Sequence, residues 1–225
     1  MSTEGRFTVR RFDPGRDREA AYRCYVDGFY QNSWPLIEFA EPRLAMDLIE
    51  TNAAISGTAF IAEADGEARG LLIGYFPAEL RSLLRGFLLM AHFELKVLLR
   101  RYRMEPIARM AWWKMTRGFF SFHFRSPKTP AEVLMLNSQK EYRGGIGRAL
   151  MDAWVAEVRA RGYDKTTVGT DSTVDWPFYE RYGFTRVREF PINSFAYSMP
   201  GEDAWGYIYS LDLTGGGEEG ARQER

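Results

Sequence analysis

The residues Tyr142-Arg143-Gly144-Gly145-Ile146-Gly147-Arg148 form a glycine-rich, basic turn that runs straight into an amphipathic helical pattern. Such a turn can hold phosphate. The apolar run Val133-Leu134-Met135-Leu136 precedes it, and apolar residues recur after it at Ile146, Leu150, Met151, Trp154, Val155 and Val158, the spacing of one helical face. The order is therefore strand, glycine turn, helix. A helix start leaves about four backbone N–H groups unpaired and carries roughly half a positive charge, while glycines let the main chain approach a bulky anion closely. Arg143 and Arg148 add forked donors that suit phosphate oxygens. No Gly-Lys-Ser/Thr follows the glycines, which argues against a P-loop kinase.

Several elements must position this turn. Phe7 to Phe12 alternates as a strand, Asp13-Pro14-Gly15 stops it, and a helix is expected from about Asp17 to Tyr30, with a second after Pro42. Thr58 to Glu63 and Ala68 to Tyr75 flank Asp65-Gly66, a dipeptide that accepts the positive φ angles of a tight hairpin turn. Lys165 to Thr170 reads as the next strand, so the glycine turn opens a βαβ crossover at the carboxyl end of a strand, where open α/β sheets bind ligands. A short helix from Val174 to Tyr182 should stop at Gly183, followed by strands from Phe184 to Phe190 and from Trp205 to Leu213.

Residues 79–125 interrupt this rhythm. They carry ten Lys/Arg against three Glu, a net +7 in a chain whose thirty basic and thirty acidic residues cancel overall, so the remainder is correspondingly acidic. Their apolar residues, Leu83 through Leu99 and then Met110, Trp112, Trp113 and Met115, read as two helices separated by Pro106 and too charged to span a bilayer. The segment is expected to cover the sheet or cleft; docking to a membrane or acidic partner, and homodimerisation, are the other readings. The balanced total charge gives no reason to invoke nucleic acid. Cys24 is the single cysteine and no Cys/His cluster has metal-ligand spacing, which fits a reducing cytoplasm and a chain without a metal. The opening Met1 to Arg6 lacks the pattern of a secretory signal, and residues 214–225 are expected to be disordered.

With the turn, the crossover helix and then Pro177-Phe178-Tyr179-Glu180-Arg181-Tyr182-Gly183-Phe184, the chain resembles the GCN5-related N-acetyltransferase superfamily over residues 7–76 and 130–213. The resemblance implies a mixed, twisted α/β sheet of about six to seven strands flanked by helices, with residues 79–125 inserted between the third and fourth. It also implies one acetyltransferase domain over 7–213, acetyl-CoA as donor, and direct transfer to an amine, a small molecule being favoured. In the family a Q/R-x-x-G-x-G/A turn wraps the pyrophosphate, which carries Gly145 and Gly147 over. Tyr142 either takes the usual Gln/Arg place or aligns, with Arg143 and Gly144, to a common Tyr-Arg-Gly. An Asn often present before the family's tyrosine is Ser172 here.

The same resemblance assigns chemistry. Backbone groups of Leu136, Asn137 and Ser138 would pair with the pantetheine arm, and N–H groups of residues 143–148, Ile146 included, would meet the diphosphate. Tyr179, a phenol that stays protonated at neutral pH, would give its proton to the departing thiolate. Glu132 matches a catalytic glutamate of the histone-modifying branch and would act as base, or else is a solvated strand-end carboxylate; Asp171, Glu63 or a water chain are the alternatives. A CoA-binding module with weak catalysis and a membrane-associated acyltransferase are the competing functions.

Overall fold

The Asp-Gly hairpin forms as its sequence requires. In a computed structural model describing residues 7–77, 79–142, 145–192 and 205–214, Asp65 and Gly66 take φ of 54° and 78°, joining β2 (Thr58–Ala64) to β3 (Glu67–Tyr75). Around that hairpin one seven-stranded sheet assembles in the order β1-β2-β3-β4-β5-β7-β6, with β1 at Thr8–Arg11, β4 at Ala131–Ser138 and β5 at Lys165–Asp171. β6 (Thr185–Pro191) and β7 (Trp205–Asp212) complete it. Every neighbour is antiparallel except β4 and β5. The predicted strand count and α/β class therefore hold. Thr214 donates to the Asp212 carboxylate, and residues 215–225 of the predicted tail lie outside the described residues.

The first helix departs from its expected end. α1 spans Pro14–Phe39, started by the Asp13 carboxylate accepting from the Gly15 N–H at 2.9 Å, and it continues through Pro35 where a break was expected near Tyr30. A proline inside a helix removes one hydrogen bond. Here the last turns are held by tertiary burial: Leu36 packs with Leu44 of α2 (Pro42–Ser56), Phe93 of α3 (Leu80–Leu98) and Trp112 of α4 (Pro106–Arg125). Residues 80–125 thus form the expected helical pair, inserted between β3 and β4, with Pro106 in the first turn of its second helix.

The two sheet faces carry different helices. α1 covers one face through Ala21, Cys24 and Tyr25, against Ile61, Leu71 and Met135. α5 (Ile146–Ala160) covers the other through Leu150, Trp154 and Val158, all fully buried, as its apolar period predicted. Trp154 anchors this face, its indole N–H donating to Thr166 Oγ1 at 2.9 Å. Its ring lies so close over β3 that a Cβ on Gly74 would fall 2.0 Å from it. We expect Gly74→Ala to cost about 1–3 kcal/mol through overpacking, read as a lower urea midpoint with unchanged slope. α6 (Pro177–Tyr182) starts later than expected, at its proline, and ends at Gly183 with φ of 117°.

Candidate functional site

A notch opens in the middle of the sheet. β4 and β5 pair only through Ala131–Val133 and Thr166–Val168, although β4 runs on to Ser138 and β5 to Asp171. Beyond Val133 no β4–β5 pairing continues among the described residues. On its far edge β5 stays paired with β7 along its whole length, so the gap belongs to the β4–β5 side alone. At the root of the notch the β3–β4 register shifts: Gly74 faces Val133 but Ile73 faces Met135. Leu134 is the extra residue of a β-bulge. The packing agrees, since Leu134 and Met135 both lie on the α1 face while Val133 and Leu136 lie on the α5 face. Leu134 therefore stands outside both ladders. A bulge of this kind is hidden in Val-Leu-Met-Leu, because both faces of the strand are apolar.

The upper end of the notch meets the start of α5. A short 3-10 turn, Lys140–Tyr142, leads out of β4, and Gly145 with φ of 110° begins α5, its carbonyl accepting from the Ala149 N–H at 3.0 Å. A positive φ suits glycine, and the N–H groups of the first helical residues have no acceptor within the helix. Arg143 and Gly144 lie outside the described residues. The side chains around this turn are less available than its main chain. Tyr142 is held by the hairpin, its ring 4.7 Å beneath the Arg69 guanidinium and its hydroxyl 3.4 Å from Asp65. Ile146 is buried in the α5 core. Gly147 is packed against Phe178, whose ring carbon would lie 3.3 Å from an added Cβ. Arg148 is exposed and sits 5.5 Å over the Tyr182 ring, where it lines a concavity of about 340 Å³ with Asp152 and Arg159, on the side of α5 facing the end of β7.

The remaining candidates divide between the two faces. Ala131 and Val133 point to α5, so Glu132 points the other way, opposite Tyr75 of β3 and Thr167 of β5. Burial pushes the Glu132 carboxyl up to about 7. Tyr75 is raised by burial and then by the Glu132 charge. Tyr75 was not singled out from sequence; only strand register brings it to Glu132. On the α5 face, the Tyr179 ring packs against Phe178, Phe184 and Tyr209 at centroid distances of 5.3, 5.8 and 5.9 Å. Burial, with Asp175 and Asp171 nearby, holds its hydroxyl above the ordinary phenol range. Glu132 and Tyr179 thus lie on opposite faces of the sheet.

Three other side chains are occupied. The Ser172 hydroxyl accepts from the Trp205 N–H at 3.0 Å, extending the β5–β7 ladder. Glu63 is ion-paired with Arg10 and Arg16 at the β1–β2 edge. Asp171 accepts from the N–H and hydroxyl of Thr173. Glu132 stands at the last paired residues of β4 and β5, at the root of the notch, with its carboxyl raised by burial to about 7. Asn137 and Ser138 close the upper part of β4 against β3, about 20 Å from Glu132 at strand rise, so a ligand touching both ends must be long and extended. Among the described residues no group of three or more His, Cys, Asp or Glu side chains stands where it could hold a metal.

No family model matches the sequence, and a search of curated proteins finds no match. Solved structures do match. An agmatine N-acetyltransferase superposes with a TM-score of 0.55 at 16% identity, over 92% of this chain and 100% of that one. A Drosophila melanogaster polyamine N-acetyltransferase superposes with a TM-score of 0.53 at 15% identity, over 92% and 100%. A putative acetyltransferase from Salmonella typhimurium, solved with its cofactor acetyl-CoA, gives 0.51 at 15% identity, over 93% and 95%. The chain has the fold of the GCN5-related N-acetyltransferases.

Proposed function

We propose that the chain is an acetyl-CoA-dependent N-acetyltransferase that moves an acetyl group directly to the amine of a small molecule. The observation that carries this reading is the notch: two parallel strands that part at a β-bulge, with a glycine-capped helix start at the open end. On the notch side of Leu136, Asn137 and Ser138 no β5 residue pairs with the strand among the described residues, and there an extended pantetheine arm would pair with their main chain. The N–H groups at the start of α5, residues 145–148, suit a diphosphate. The donor fits these residues in length, shape and charge, and it brings an activated acetyl group. Within this chain, the role of the glycine turn rests on main chain rather than on Tyr142, whose ring is committed to Arg69.

The reacting end is assigned to the root of the notch. The backbone of Leu134, outside both ladders, would polarise a carbonyl oxygen held there. Glu132, on the α1 face, would take the proton of the incoming amine, and Tyr179, on the α5 face, would give one to the departing sulfur. Acid and base approach from opposite sides of the sheet. A small amine acceptor is supported by the acceptors named for the agmatine and polyamine enzymes of the same fold.

The test is a panel of amines, amino acids, polyamines and peptides incubated with acetyl-CoA, with mass spectrometry of the products and calorimetric titration of CoA. One or more acetylated amines are expected, together with CoA binding. Firm CoA binding without turnover on any amine would instead make the chain a binding module, a reading favoured by the commitment of Tyr142 and Ser172 to structural contacts. Absence of CoA binding overturns both.

A further inference from the structure

The exposed apolar surface of this protein is concentrated in one place. Thirteen large hydrophobic side chains are exposed among the described residues, and ten of them lie between Leu84 and Phe124, on α3 and α4 and their junction. Six belong to α3 and its cap: Leu84, Phe87, Leu88, Leu95, Leu98 and Leu99, with Phe87 74% and Leu88 67% exposed. At about 100° per residue these six fall within an arc of about 120°. The opposite side of the same helix carries Phe93 and Val97, buried against Leu36, Leu44 and Trp112. α3 is thus anchored to the protein by one face and presents a second apolar face to solvent. Its packing does not require that second face.

We infer that the outer face of α3 docks on an anionic lipid bilayer. Charge decides the occupant. Arg85 lies on the flank of the arc, and exposed Arg100, Arg101 and Arg103 cluster where α3 ends, within a segment of net +7. Two of the segment's three acidic residues are engaged within the protein, Glu94 accepting from the Trp112 indole at 3.0 Å and Glu79 pairing with Arg161, and exposed Glu105, two residues past Arg103, is a single negative charge against the four arginines. An apolar arc fringed by arginine matches a helix lying in the plane of a membrane interface, with its basic fringe on lipid phosphates and carboxylates. A two-fold dimer through the same face would set that cationic fringe against its own copy, which disfavours self-pairing. No helix among the described residues is long and apolar enough to cross a membrane, so attachment is at the surface. This inference does not depend on acetyl transfer.

Co-sedimentation of the full chain with vesicles of phosphatidylcholine alone, and of phosphatidylcholine mixed with phosphatidylserine, tests it. Binding to the mixed vesicles is expected, falling with salt. Leu88→Glu with Leu95→Glu should abolish binding while circular dichroism stays that of the parent, because both side chains are exposed. Arg100→Ala with Arg101→Ala leaves the apolar arc intact and should lower the partition coefficient about 30-fold. The proposal is overturned by failure to bind the mixed vesicles, by binding that the leucine pair does not change, or by a dimer in sedimentation velocity that the leucine substitutions dissolve without any vesicle binding.

Discussion

Tyr179→Phe is expected to lower kcat by about 10²-fold or more and to leave CoA affinity unchanged. The ring is fixed by Phe178, Phe184 and Tyr209, contacts that phenylalanine keeps, so the substitution removes a hydroxyl and little else. That hydroxyl is held protonated at neutral pH: burial disfavours the phenolate, and Asp175 and Asp171 disfavour it further. A group in that condition can donate a proton and cannot serve as a base. The two measurements separate roles. Steady-state kinetics on the acetylated amine reads the proton donor, whereas thermal unfolding reads packing. A drop in melting temperature with kcat retained would make Tyr179 a core residue of α6 alone.

Local signals carried much of the architecture into view, and long-range ones did not. Asp65-Gly66, the apolar period of α5 and the Gly183 stop each act within a few residues, so the hairpin, the crossover helix and the end of α6 were legible. α1 ran past its expected end because Leu36 is buried by residues from three other helices, which outweighs the local effect of Pro35. The candidate site was legible as a set of residues but not as a shape. The bulge at Leu134 and the parting of β4 from β5 are facts of register between strands, and no single strand contains them. The same holds for the commitments that sequence could not foresee. Tyr142 is held by Arg69 from β3, and Ser172 by Trp205 from β7, each partner lying tens of residues away in the chain.

Glu132 yields the second large effect, and it is one that pH resolves. Burial between β3 and β5 raises its carboxyl from 4.5 to about 7. As a base it must be ionised, so the rate with a preferred amine should climb as pH rises through about 7 and then level off. Glu132→Gln should cost about 10²-fold at pH 8 and flatten that limb of the profile. Stability must move in the opposite sense. A carboxyl whose folded pKa lies above its unfolded one favours the fold while protonated, an advantage fully present below about 4.5 and lost as pH rises through about 7. At about pH 4 and below the parent and Glu132→Gln should therefore unfold alike, since the group is then largely neutral in both the folded and the unfolded chain. At pH 8 the parent confines a charge that glutamine lacks, and the variant should be the more stable by at most on the order of 3 kcal/mol. A variant that is slower and sturdier at the same pH is the signature of a carboxylate kept buried for its basicity. Equal stability across that range, with activity intact, would make Glu132 a solvated strand-end residue and leave proton removal to water.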